Sequence, residues 1–183
     1  MKKFDAALIK RVSPTLILVA VSSIFYIYVM RFIDHRAYWI SPVIVSLAFL
    51  KSAYFTTFTF RQMNISIKES HSFGQLLGIF GLLVFVIVFS FGADYTCLSV
   101  GNHASFKGLE GNIHLSYLDQ LFQYFYFSTV TFASIGYGDI VPVSVSAKLV
   151  VIIEIAQSFI TVVFGLSNIN NIHSIIKSKR VND

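Results

Sequence analysis

Two glycines separated by one residue stand in the segment Ser134–Asp139, which reads SIGYGD. An extended strand points successive backbone carbonyls to alternate sides. If alternate residues take left-handed dihedrals instead, consecutive carbonyls point the same way, and only glycine adopts such dihedrals at little cost. A ring of these carbonyls can replace the water shell of a cation, whose bare transfer into an apolar medium costs on the order of tens of kcal/mol. Gly136 and Gly138 therefore predict a ladder of carbonyl ligands, with the Ile135 and Tyr137 side chains turned outward.

The longer segment from Thr129 to Pro142, TVTFASIGYGDIVP, resembles the pore loop of the potassium channel family, whose filter is usually written TVGYGD. The close resemblance covers Tyr117 to about Leu166, the last third of the chain. It implies that K⁺ is bound by four consecutive carbonyl oxygens, those of Ser134, Ile135, Gly136 and Tyr137. It also implies an innermost ligand from the Ser134 hydroxyl, where the family usually has Thr, and an outer mouth at Gly138 and Asp139.

The same resemblance implies residues that support the filter. Tyr126 occupies an aromatic position of the family's pore helix, where it either hydrogen-bonds Asp139 behind the filter or is simply an interface aromatic. Glu154 is an acid inside an apolar span, so it is either functional or a carboxyl that is hydrogen-bonded behind the filter.

A further group of residues is expected to line the cavity and form the gate. The family's glycine hinge falls at Ser158 in this chain, which leaves Gly165 as the other place for a bend. By the register of the family's inner helix, three apolar side chains either line the central cavity or pack within the protein: Phe159, Val162 and Leu166.

The composition indicates a membrane protein. Of 183 residues, 55% are hydrophobic and only 13% are charged, whereas soluble domains carry about 25% charged residues. The mean hydropathy is +0.71. The net charge is +5, and the basic residues lie in short clusters between apolar runs. Nucleic-acid binding would require them to form a single patch. The single cysteine, Cys97, excludes an intrachain disulfide. With no nucleophile–base pair and no metal-ligand cluster in the sequence, we expect neither an enzyme nor a cofactor.

Four segments are long enough to cross a membrane, since about 20 helical residues span the hydrocarbon core. They are residues 14–33, 38–60, 71–92 and 146–168. The second carries Lys51 near its middle, which costs about 2.5–3.5 kcal/mol on insertion scales. We expect Lys51 to pair with Glu154 or to reach a lipid headgroup. An even number of spans, with more basic residues on the side of the termini, favours cytoplasmic N- and C-termini.

The segments between the spans complete the predicted organisation. Residues 93–116 contain several Gly and Asn and are predicted to form an extracellular loop. Residues 118–132 are predicted to form a pore helix, with Asp119 near its positive end, and to re-enter the membrane together with the filter at 134–139. The chain thus divides into an N-terminal helix pair, a pore domain and a short cytoplasmic tail, at residues 1–70, 71–168 and 169–183.

The predicted fold class is an all-α membrane protein with four transmembrane helices, a re-entrant pore helix and a filter loop. A ring of ligands needs about four filter loops and one chain supplies one, so a homotetramer around a central pore is expected. The first two spans are expected to form a peripheral, lipid-facing pair. The resemblance implies a potassium-selective channel of the cell membrane that passes K⁺ passively by knock-on. The alternatives are a nonselective cation channel, a membrane subunit of a K⁺ uptake system and an accessory protein with a non-conducting filter.

Overall fold

The structure, a computed structural model, describes residues 17, 21, 40–69, 73–108 and 117–181. Across these residues the chain is mostly helical, which confirms the all-α part of the predicted fold class. The helices are α1 (Ile40–Glu69), α2 (Phe73–Gly101), α3 (Tyr117–Phe132) and α4 (Val145–Val181). A short 3₁₀ turn at His103–Ser105 precedes strand β1 (Phe106–Lys107), and strand β2 (Val141–Pro142) precedes α4.

Three of the described helices are long and apolar enough to cross a membrane. The apolar stretches are Ile40–Arg61 in α1, Leu77–Gly101 in α2 and Val145–Gly165 in α4. They overlap the spans predicted at 38–60, 71–92 and 146–168. The span predicted at 14–33 lies outside the described residues, apart from Ile17 and Val21, which are both helical.

The length of α2 corrects the predicted extracellular loop. Residues 93–101, predicted to lie in that loop, form the last turns of the helix. Among the buried polar side chains of this stretch, Asp94 pairs with Lys51 and the Thr96 hydroxyl donates to the Gly92 carbonyl at 2.8 Å. Polar character had indicated a loop, but here it reflects contacts inside the protein.

The bounds of α3 and α4 agree closely with the sequence pattern. α3 runs from Tyr117 to Phe132, against a predicted pore helix at 118–132, and carries Asp119 in its first turn. α4 continues beyond its apolar stretch as far as Val181. The segment predicted as a short tail at residues 169–183 is therefore helical as far as Val181.

One face of α1 packs on the helices that follow it. Its most buried side chains recur every three or four residues, at Ile44, Ala48, Lys51, Phe55 and Thr59. This spacing forms one stripe along a helix. α1 packs against α4 as well as against α2. The second predicted span is therefore attached to α4 and α2 by one face, and its other face, with Phe49 and Leu50, is exposed.

An aromatic cluster anchors the chain between α2 and α3. The Phe106 ring lies with its centroid 4.9 Å from that of Tyr124 and 5.7 Å from those of Tyr95 and Phe127. β1 pairs with β2 in antiparallel register, with Phe106 opposite Pro142 and Lys107 opposite Val141. The segment before the pore helix is thus tied to the segment that follows the predicted filter.

Candidate functional site

The end of α3 is also the start of the predicted filter. The Ser134 N–H donates to the Thr131 carbonyl and the Ile135 N–H donates to the Val130 carbonyl, each at 2.9 Å. This pair of bonds is the Schellman motif, in which the residue at the place of Ser134 takes a left-handed conformation. Ser134 accordingly has φ of 56°. The motif fixes how the chain leaves the helix and enters the loop.

Left-handed dihedrals recur at every second residue of the loop. Gly136 has φ of 61° and Gly138 has φ of 78°, as their spacing predicts, and Ser134 extends the alternation by one position. An alternation of this kind turns consecutive carbonyls to one side. A Cβ atom on either glycine would meet no atom within 4 Å, so glycine is required for its dihedrals and not for space. Ser134 was not predicted to join the pattern because residues with side chains rarely take positive φ.

The loop lies on the surface of the single chain. Every residue from Ala133 to Asp139 is exposed, and the large side chains of Ile135 and Tyr137 are 54% and 69% exposed. One face of α4 is likewise exposed and apolar, and it includes Ile152, Ile155 and Val163. The described chain therefore presents one wall of a site, with a continuous apolar surface beside it.

The residues predicted for the cavity and gate divide between two sides of α4. Phe159 and Val162 lie on the exposed side. Ser158 is buried, and its hydroxyl donates to the Ile155 carbonyl at 2.9 Å, a kind of bond that tends to bend helices. Gly165 is buried against Phe80, since a Cβ there would lie 2.6 Å from a ring carbon. The side chain of Leu166 lies outside the described part.

The segment before α3 holds the outer end of the loop. The Val143 N–H donates to the Ser105 carbonyl at 2.8 Å, next to the β1–β2 pair. Gly108 has φ of 102°, and a Cβ on it would come within 1.7 Å of the Asp139 carbonyl oxygen. Only glycine fits this contact. The sequence indicated Gly108 only as a loop residue, because the approach to Asp139 comes from the fold.

Tyr126 reaches the outer mouth from α3. Its hydroxyl donates a hydrogen bond to the Asp139 carboxylate. This bond is the main reason why the pKa of Tyr126 lies above its ordinary value of 10.0, and desolvation and the charge of Asp139 act in the same direction. Of the two alternatives that the sequence left open for Tyr126, the structure has the contact with Asp139.

Glu154 is fully buried and joins three helices. Its Oε2 accepts a hydrogen bond from the Tyr95 hydroxyl of α2 at 2.5 Å, and its Oε1 accepts one from the Ser128 hydroxyl of α3. Ser128 Oγ also lies 2.9 Å from the Val88 carbonyl oxygen. Glu154 thus connects α4 to α2 and to α3. The sequence singled out the acid but neither hydroxyl, because a lone Tyr or Ser in an apolar run is unremarkable.

Lys51 pairs with Asp94, not with Glu154 or a headgroup as expected. Lys51 Nζ lies 2.6 Å from Asp94 Oδ1, and both side chains are buried. The expectation was wrong because Asp94 had been assigned to an extracellular loop, which left Glu154 as the acid within reach.

A second polar contact of α1 involves Gln157 of α4. Gln157 Oε1 accepts hydrogen bonds from the hydroxyls of Ser52 and Thr56, each at 2.8 Å. The sequence indicated none of these three residues. Their positions in two different spans become meaningful only when the helices are brought together.

Comparison with known proteins gives one match. Residues 106–173 match a family model described as ion channel. The matched residues begin at β1 and include α3, the predicted filter and the apolar part of α4. No curated protein and no solved structure matches the chain. The match and the three apolar helices together identify a membrane protein.

Proposed function

We propose that the chain, whose residues 106–173 match a family model described as ion channel, is one subunit of a potassium-selective channel. The observation that carries the proposal is the run of left-handed residues at Ser134, Gly136 and Gly138 around the sequence Gly-Tyr-Gly. Backbone of this kind supplies stacked carbonyl oxygens that can replace the hydration shell of K⁺. The ligands would be the carbonyls of Ser134 through Tyr137, with Gly138 and Asp139 at the outer mouth.

The proposed active form is a homotetramer with cyclic symmetry. A closed ring of carbonyls around an ion needs about four copies of the loop, and identical subunits close most simply about a rotation axis. The exposed side chains of Ile135 and Tyr137 and the apolar face of α4 are surfaces that neighbouring copies would cover. In this assembly α4, α3 and the loop surround the axis, and α2 and α1 lie outside them.

Conduction through the proposed filter is passive. Ions would occupy adjacent carbonyl rings and displace one another, because each site binds firmly enough to admit K⁺ and weakly enough to release it. The C-terminal end of α3, which ends at Phe132 directly before the loop, adds partial negative charge on the side of the ion path. Phe159 and Val162 would line the cavity below the filter.

The test is the reversal potential of the purified protein in a planar bilayer between KCl and NaCl. Potassium selectivity predicts a potential near the K⁺ limit and block by Ba²⁺. A robust current that reverses near zero would instead mean a nonselective cation pore. An assembled protein that passes no current would point to an accessory role.

A matched pair of variants ties the result to the loop. Gly138→Ala places a methyl group on a residue with φ of 78°, where a side chain costs about 1–2 kcal/mol. Gly81→Ala places the same group at an open position of α2. We expect Gly138→Ala to lose discrimination of K⁺ from Na⁺ and Gly81→Ala to keep it.

A further inference from the structure

Polar side chains attach α1 to α4 in the middle of the apolar stretches of both helices. Ser52 and Thr56 lie one turn apart on α1 and therefore share one face. Both hydroxyls donate to Gln157 Oε1 at 2.8 Å. Gln157 Nε2 in turn donates to Thr161 Oγ1 at 3.1 Å, one turn further along α4. One amide of α4 thus binds two hydroxyls of α1, and α1 lies before the segment that matches the ion channel family model.

The α4 side of the attachment is buried, and Ser52 and Thr56 on the α1 side are half-buried. Gln157 and Thr161 are each 1% exposed. A buried amide that loses its partners keeps the full cost of its desolvation. Apolar packing such as the Phe60–Phe164 pair, with ring centroids 3.9 Å apart, would hold two helices together without fixing their register. The bonds at Gln157 fix that register.

The attachment point also lies beside the places where α4 can bend. Gln157 directly precedes Ser158, whose hydroxyl bonds the Ile155 carbonyl. The proposed cavity residues Phe159 and Val162 follow on the opposite, exposed side of the helix. A displacement of Gln157 relative to α1 would break or exchange the bonds that its amide accepts from Ser52 and Thr56.

We infer that α1 controls the opening and closing of the pore through Gln157, which is a positioning residue for the inner helix. This inference rests on the proposed channel function. A contact shifts an equilibrium between two states only if it is stronger in one of them. The bonds of Ser52 and Thr56 to Gln157 belong to the described conformation, and they are lost when α4 moves away from α1.

Single-channel recording tests whether these residues act as one unit. We expect the double variant Ser52→Ala/Thr56→Val and the variant Gln157→Leu to shift the ratio of open to closed time in the same direction. The expected shift in this ratio is about eightfold. That is the change produced by the loss of two interhelical hydrogen bonds of average strength in a membrane. The combined triple variant is expected to shift the ratio no further, because the hydroxyls act only through Gln157.

Conservative and control variants separate positioning from general damage to the protein. Thr56→Ser keeps a hydroxyl donor and should leave the ratio unchanged. Ser46→Ala and Thr57→Val remove exposed hydroxyls of α1 that bond backbone carbonyls of their own helix, and they should also leave the ratio unchanged. Ser46 bonds the Pro42 carbonyl at 2.9 Å, and Thr57 bonds the carbonyls of Ala53 and Tyr54 at 3.2 and 2.9 Å. All of these variants should keep the wild-type reversal potential and single-channel conductance.

Two results would overturn the inference. One is a potassium-selective channel in which the double variant and Gln157→Leu both leave the open-to-closed ratio within twofold of wild type. The other is a triple variant whose shift is the product of the separate shifts, since the residues would then act independently. Either result leaves the proposed function intact, whereas loss of that function would appear in the wild-type reversal potential. The double variant keeps the test valid if Gln157→Leu fails to assemble.

Discussion

Replacing Lys51 with Met would remove one half of the buried ion pair between α1 and α2 while keeping an unbranched side chain. The two side chains are 10% and 1% exposed, and Lys51 Nζ lies 2.6 Å from Asp94 Oδ1. Removing one partner of a buried pair costs about 3–5 kcal/mol because it leaves the other charge uncompensated. Replacing both partners with apolar residues is often neutral or stabilising by about 1–4 kcal/mol. We therefore expect Lys51→Met to be much less stable than Lys51→Met/Asp94→Leu.

Thermal unfolding of the purified protein in detergent measures this difference. For a domain of about 150–250 residues, a loss of 3–5 kcal/mol lowers the Tm by about 6–20 °C. Arg61→Met is the control, because Arg61 is exposed at the end of the apolar stretch of the same helix and its loss should change the Tm little. Unfolding of Lys51→Met at the wild-type temperature would contradict a stabilising ion pair, as would a double variant at least as unstable as Lys51→Met.

Gly108→Ala should disturb the outer mouth, because its Cβ would lie 1.7 Å from the Asp139 carbonyl oxygen. A reversal potential equal to that of wild type would contradict this expected disturbance. Tyr126→Phe removes the bond that Asp139 accepts at the end of the loop and should shift the reversal potential away from that of wild type. The raised pKa keeps the Tyr126 hydroxyl protonated, so the bond is present below about pH 10 and is lost as the pH rises further. The difference between Tyr126→Phe and the wild-type protein should therefore shrink only above about pH 10. Glu154→Leu leaves the buried Tyr95 hydroxyl without its acceptor, at about 1–3 kcal/mol, whereas the Ser128 hydroxyl can still donate to the Val88 carbonyl. It should lower the Tm more than Glu154→Gln, which keeps a side-chain oxygen, and equal Tm values would contradict the role of the carboxyl as acceptor.

Local features of the chain could be predicted from the sequence. The extent of α3 follows from an apolar run bounded by turn residues, and the dihedrals of Gly136 and Gly138 follow from their spacing. Each depends on residues within a few positions of one another. The left-handed Ser134 is also local, but it arises from the hydrogen bonding of a helix end, for which serine is an uncommon residue.

Contacts between distant residues could not be predicted in this way. Gly108 approaches Asp139, and Gln157 receives hydroxyls from α1 more than 100 residues earlier in the chain. The residues 93–101 were predicted to form a loop because they contain polar side chains, and only the ion pair explains why Asp94 can lie inside a helix. Polarity within an apolar segment indicates that a partner exists without indicating where it is.

The ion pair between α1 and α2 also bears on how the chain enters the bilayer during its synthesis. Asp94 follows Lys51 by 43 residues, so at about 5–20 residues per second it leaves the ribosome about 2–9 s later. Until then α1 carries a lysine at the middle of its apolar stretch without its carboxylate, at a cost of about 2.5–3.5 kcal/mol on insertion scales. We therefore expect α1 to integrate fully only when α2 arrives, so that the two helices enter the lipid as a hairpin.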